Sequence, residues 1–389
     1  MKQFIVVVLC ILLIGCNSDA DKSFSNEKID FYFNEAYNTN LSNQQRLKYV
    51  DSALIIVEKQ NNNDTLKTKN YFKVANRYFM LLEYQKYKEV TKKILTKSEF
   101  ENDSLSIAKA EYYLGDYYFA LSKNDSAYYY FLSAEKKYKT TSDKANLANA
   151  ILHKAYILLY EKDFLGSETE TIRVLNIANE INDNSLIYEC YVNLGSSLLG
   201  LGNFQKALDY HLKALEQIES VEDKNYHSIL RAQTYNNIGF VYLTMNKFDD
   251  AIKNFSLGLK IANIKNLHLV LYTALLDNYA YSNFKNKTSS DEKDFIKSLK
   301  IRDSINDVAG KINSRVHLTE YYLFKKDTVK ALLYNDEANR LAKESKYNKD
   351  ILATLDFYTQ LKPKEGLKYA KEYIKLSDSL QQQERLTRN

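Results

Sequence analysis

A small residue returns about every 40 positions along this 389-residue chain. Ala75, Gly115, Ala155 and Gly195 stand 40 apart, and Gly239, Ala280 and Thr319 follow at 44, 41 and 39. Twelve residues after four of them sits a second small residue: Ala127, Ala207, Ala251 and Ala331. Self-similarity at a fixed period of this length marks stacked structural repeats. Each unit of such an array packs only on its neighbours, so length sets the number of units rather than the number of domains. With 1 Pro and 10 Gly, few breakers interrupt the chain, which favours helices joined by short turns. Hydrophobic residues at 45% and charged residues at 26% are the proportions of a folded chain, not a disordered one.

One unit shows how the period is built. Tyr191, Leu194, Gly195 and Leu198 recur at three and four, and Phe204, Ala207, Leu208 and His211 repeat the spacing, giving two successive amphipathic helices. Gly200-Leu201-Gly202-Asn203 lies between them as a tight turn, where glycine can take a positive φ. The expectation is that Gly195 and Ala207 face each other and let the two helices approach. Tyr235, Ile238-Gly239, Tyr242, Phe248, Ala251 and Phe255 repeat the scheme, as do Leu114-Gly115, Tyr118, Ala127, Phe131 and Ala134. These units resemble the tetratricopeptide repeat over most of residues 30–375. The resemblance implies an all-α fold, a TPR-type α-solenoid of antiparallel helix pairs, here spanning residues 29–365. The standard unit is 34 residues long. Six more would lengthen its two helices by about 9 Å in total, similar to the extended repeats of kinesin light chain and of bacterial regulatory helical-repeat proteins. The proline usual near the end of each unit is missing, so turns such as Asn182-Asp183-Asn184 must join the units. The first copy, around Asn34, and the last, around Thr354, match less well, as capping ends do, and the internal one near Ala280 is degenerate.

The N-terminus is a separate address. After Met1-Lys2, residues 4–14 form an unbroken apolar run. Eleven residues at 1.5 Å each cannot cross a hydrocarbon core of ~30 Å, but they suit a secretory signal over residues 1–15. Leu13-Ile14-Gly15-Cys16 resembles the lipobox of bacterial lipoproteins, which implies lipidation at Cys16 and a palmitate-bearing membrane anchor. Residues 16–28 then read as the lipidated cysteine and a polar tether. Asp19 and Asp21 in it are similar to acidic surface-sorting signals of Bacteroidetes lipoproteins. The implied location is the cell envelope, at the outer membrane.

Chemistry is not signalled. The sequence holds no phosphate-binding loop, nucleophile elbow or zinc-protease helix. Its five histidines, His153, His211, His227, His268 and His317, lack metal-ligand spacing. Cys190 stands without a pairing cysteine and reads as a small buried hydrophobe. The expectation is a non-enzyme with no cofactor and no metal. The formal charge of +5 is spread among 54 basic and 49 acidic residues without a basic stripe, so nucleic acid is not indicated.

What remains is the inner face of the array. In tetratricopeptide arrays it is lined by the first helix of each unit, two residues before and one after the small position. Carried onto this chain, those residues are Lys73, Asn76, Tyr113, Asp116, His153, Tyr156, Asn193, Ser196, Asn237, Phe240, His317 and Glu320. Amides can pair with the backbone of an extended peptide, and aromatic rings offer flat apolar contact. The expected partner is a protein or peptide. The dense tyrosines at 112–113, 117–118 and 128–130 read as packing residues. Residues 366–389 read as one long terminal helix, similar to the junction in Bacteroidetes membrane regulators whose repeats lead to a kinase or DNA-binding output. That likeness keeps an extracytoplasmic sensory module as the alternative reading. Glycan capture is the third, disfavoured by the absence of Trp.

Overall fold

The computed structural model describes residues 27–61, 65–287 and 292–388. The apolar signal run, Cys16 and nearly all of the tether lie outside the described residues. Those that are described form helices and turns with no strand, a TPR-type α-solenoid. The chain divides between Lys154 and Ala155 into two compact units. The first contains α1 (27–37), α2 (Asn43–Lys59), α3 (Thr65–Met80), α4 (Tyr84–Glu101), α5 (Ser104–Ala120) and α6 (Asn124–Tyr138), and the division falls within α7 (Lys144–Tyr160). The second contains α8 (Phe164–Ile181), α9 (Asn184–Gly200), α10 (Phe204–Gln217), α11 (His227–Thr244), α12 (Phe248–Leu259), α13 (Ile264–Leu267) and α14 (Leu269–Lys285). It continues through α15 (Lys293–Ser304), α16 (Val308–Phe324), α17 (Thr328–Glu344), α18 (Asn348–Leu361) and α19 (Gly366–Arg388). Helices pack on their sequence neighbours, α5 on α6 and α9 on α10 for example, as a stacked array requires.

The turn inside each unit is set by one backbone position. Leu82, Ser122, Lys162, Gly202, Asn246, Lys287 and Lys326 all have positive φ, and each stands seven residues after a small position. Behind this residue the chain closes a Schellman turn. Gly202 N–H donates to Leu199 O at 3.0 Å and Asn203 N–H to Leu198 O at 2.8 Å; Lys162 and Asp163 repeat the pair at 3.1 and 2.8 Å. Only one unit uses glycine there, so the other six accept a left-handed conformation disfavoured for a residue with a Cβ. Aspartates then start the next helices. Asp103, Asp163, Asp183 and Asp327 accept N–H bonds from Ser106, Gly166, Leu186 and Lys330, satisfying donors that a helix start leaves open. Asn182 in the left-handed region followed by capping Asp183 forms the inter-unit turn that the missing proline leaves to other residues. Two 3₁₀ turns, Ile218–Ser220 and Lys224–Tyr226, occupy the interval in which the period stretches to 44.

The small positions are the core. Ala75, Ala155, Thr319, Ala127, Ala207, Ala251 and Ala331 are fully buried. Gly195, however, is closed by His211: a Cβ built there would lie 2.5 Å from the imidazole, so the ring, not Ala207, is what fills the space opposite. The ring wins because it reaches across the crossing point, whereas alanine reaches no further than its own helix surface. In the first copy the buried small residue is Ala36, 39 before Ala75, while Asn34 is exposed. The tyrosines largely pack. Tyr118 stacks on Tyr130 at 5.4 Å and Tyr117 is buried, although Tyr129 stands in solvent. Cys190 is buried, and burial pushes its thiol up to about 12.

Candidate functional site

In the first unit, residues of α1, α3 and α5, with Glu101 of α4 and Asp103, line an open cavity of about 880 Å³. Lys73, Asn76 and Tyr113, three of the residues expected on the inner face, line it together. The helices place them there by their period: Lys73 and Asn76 lie three apart on α3, and so share a face. Lys73 lies 3.5 Å from Asp30 and over the Phe33 ring, and Asn76 is exposed. Tyr113 packs edge-on against Phe72 at 5.3 Å and beside Tyr87 at 5.5 Å, and burial pushes its phenol up to about 12. Among the other lining residues, Tyr37, Lys69, Arg77 and Lys109 were not expected from the spacing. Lys69 and Lys109 each stand four before an expected inner-face residue, Lys73 and Tyr113, a face-sharing offset that the sequence already contained.

Asp116 and His153 form a second feature of this unit, with His153 Nε2 3.8 Å from the carboxylate. Their side chains are only 17% and 24% exposed. Burial pushes Asp116 up to about 8, although a hydrogen bond with Tyr87 opposes it. Burial pushes His153 down, against a bond between Nδ1 and Asn149 O. Both shifts favour neutral forms, so near neutral pH this is a carboxylic acid beside an uncharged imidazole. A raised carboxyl pKa contributes stability that is complete below the ordinary carboxylate range and is lost as pH rises through about 8. Asp116→Asn is therefore expected to raise the thermal midpoint by a few degrees at pH 9 and by much less at pH 5, as read by circular dichroism.

In the second unit the expected residues separate into three groups. Asn193 is buried; its Nδ2 donates to Ser167 Oγ at 3.0 Å and Thr171 Oγ1 at 2.6 Å. It ties α8 to α9 and is closed to a ligand, a correction to its expected place on the inner face. Two before the small position on a 17-residue helix is close enough to the packed seam that a short amide is drawn in. Ser196 returns its hydroxyl to Val192 O. Tyr156 donates to Glu189 at 2.8 Å, and burial raises the Glu189 carboxyl. Asn237 is half-buried and Phe240 is 42% exposed, which leaves both within reach of solvent.

His317 and Glu320 join a larger network. His317 Nδ1 donates to Asp277 at 2.8 Å and its ring stacks on Tyr281 at 3.9 Å and 10°. Tyr281 donates to Glu320 at 2.6 Å, and Lys285 does so at 2.8 Å. Tyr281 stands one after Ala280, where the inner-face rule would have placed it had that copy been read like the rest. Among the described residues no group of three His, Cys, Asp or Glu could hold a metal ion. No helix among them is long and apolar enough to cross a membrane.

Paired helices packed on their sequence neighbours give this chain the fold of a TPR-type α-solenoid. The sequence model of the tetratricopeptide repeat matches residues 186–264. Over 245 residues the chain is 28% identical to response regulator aspartate phosphatase I of Bacillus subtilis, covering 59% of this chain and 60% of that protein. It thus spans about three fifths of that relative's length. Its fold is similar to the Rap protein complexed with competence and sporulation factor, with TM-score 0.64, 14% identity, and coverage of 93% of this chain and 99% of the other. NprR in complex with its cognate peptide NprX gives TM-score 0.59 and 15% identity over 91% and 99%.

Proposed function

We propose that this protein is a lipid-anchored helical-repeat scaffold that binds a peptide or a segment of a partner protein on its first helices. The cavity lined by Lys73, Asn76 and Tyr113 carries the reading. It offers an exposed amide for backbone pairing and aromatic walls for side chains, a combination suited to an extended chain. In the second unit, exposed Phe240 and half-buried Asn237 offer the same two chemistries on α11. The described complexes of similar fold support the reading, since one of them holds a cognate peptide. Enzymatic turnover is not part of it. Phosphate release from an acyl phosphate by the purified chain, above the buffer rate, would contradict that element.

Cross-linked cells should yield a specific partner on purification. Asn76→Ala or Phe240→Ala is expected to reduce its capture severalfold. Val329→Asn and Leu333→Asn, at exposed positions of the second-type helix α17, are expected to leave capture unchanged. The opposite pattern would move the site off the first helices. The anchor is tested separately. Cys16→Ser should abolish labelling by palmitate and release the chain from the outer-membrane fraction, and unchanged retention would remove the anchor from the reading.

A further inference from the structure

Arg77 is a buried cation that the first unit does not neutralise. The residue is 6% exposed, it lines the cavity of about 880 Å³, and its Nε is buried without a hydrogen-bond partner. Its Nη1 donates to the Asn76 amide oxygen at 3.2 Å, and its guanidinium lies 3.0 Å from the centre of the Tyr37 ring. Neither partner carries a formal negative charge. The three acids of the cavity are engaged elsewhere: Asp30 with Lys73, Glu101 with Lys97, and Asp103 as the cap of α5. Lys109 also lines the cavity, with its ammonium 4.7 Å from the Phe72 ring. A buried charge without a counter-charge is strongly unfavourable, and the planar fork of guanidinium donors is the group that a carboxylate matches best.

We propose that Arg77, with Lys109 on the lining of the same cavity, is the seat for a carboxylate carried on an apolar or aromatic stretch of the bound segment. This rests on the inner face being a binding surface and names what its first unit recognises. A monoanion fits better than a phosphate dianion, because the lining cations Lys69, Lys73, Arg77 and Lys109 outnumber the acids Asp30, Glu101 and Asp103 by one charge, which a single carboxylate balances. Phe33, Tyr37, Phe72 and Tyr113 supply the apolar walls.

The test follows the Arg77 Nε–H resonance of the full chain, assigned by its disappearance in Arg77→Lys. Titration with sodium acetate should move it along a saturable curve, while sodium phosphate at the same ionic strength should not. The peptide N-acetyl-Phe-Glu-Phe-amide should saturate it at a concentration at least tenfold below that of its Gln counterpart and below that of phenylacetate. Arg77→Met should melt a few degrees above the wild type when no ligand is present, and should lose the preference for Glu over Gln. A resonance that acetate does not move, saturation by phosphate alone, or a lower melting point for Arg77→Met would overturn the assignment. Phenylacetate binding as tightly as the Glu peptide would overturn the peptide source. If acetate fails while partner capture still depends on Asn76, the carboxylate seat falls alone and the binding face stands.

Discussion

Arg302→Leu is expected to destabilise the second unit by about 3–5 kcal/mol, the usual loss when one member of a buried ion pair is removed. Arg302 and Asp277 are 3% and 0% exposed. Arg302 Nη1 sits 3.3 Å from Asp277 Oδ2 and donates to Gly310 O at 2.9 Å and Ser314 Oγ at 2.6 Å, while Ser314 passes its own hydrogen to Asp277 at 2.8 Å. Burial alone would raise the Asp277 carboxyl, but His317, Arg302 and Ser314 together hold it below the ordinary range. Without Arg302 that charge stays in the interior with less compensation. Arg302→Leu combined with Asp277→Asn removes both charges and should recover most of the loss, as urea denaturation would show. Because the Asp277 carboxyl is depressed, its contribution is present at neutral pH and lost as pH falls below about 4. Asp277→Asn should therefore flatten acid unfolding. An Arg302→Leu unit as stable as the wild type would mean that the pair only breaks even with its desolvation.

Gly195→Ala should destabilise by about 1–3 kcal/mol through overpacking, although alanine favours helix by ~1 kcal/mol over glycine. The new Cβ would meet the His211 ring at 2.5 Å. The same relation holds at Gly115 with Phe131 and at Gly239 with Phe255. In each case the ring stands sixteen residues after the glycine. Where the small position is alanine, the residue sixteen later is Thr91, Thr171 or Ile296, and where it is Thr319 it is Asn335. Ring volume is thus exchanged against the missing methyl within each unit. His211→Thr should accordingly rescue Gly195→Ala, reproducing the pairs Ala75–Thr91 and Ala155–Thr171. A double-mutant cycle should return a coupling of about 1 kcal/mol or more, and additive effects would break the exchange rule.

The helix pairs and the turn between them were legible in the sequence, because period and small-residue spacing are local properties that every copy restates, but the ring opposite each glycine was not: the spacing pointed to Ala207, and the packing put His211 there. Asn193 shows where the same legibility ends. Its spacing is that of Asn237, yet it is drawn into the α8–α9 seam because Ser167 and Thr171 happen to meet it there. Tyr281 shows the converse: its register was correct and only the poor match of its copy hid it.

The sequence alone determined a stack of lengthened helix pairs, since a 40-residue period of small and apolar residues can be buried in few other ways. It also marked the turn at residues 200–203, while the structure showed that six side chains other than glycine accept positive φ at the same position, seven after the small residue. Only the tertiary structure decided which polar residues stay open and which are consumed by packing. Charge compensation is a property of neighbours in space: Asp277 gains Arg302 and His317 from helices far along the chain, while Arg77 gains an aromatic ring and no acid. No single-chain pattern encodes that difference, because each pair joins elements whose distance in sequence says nothing of their contact.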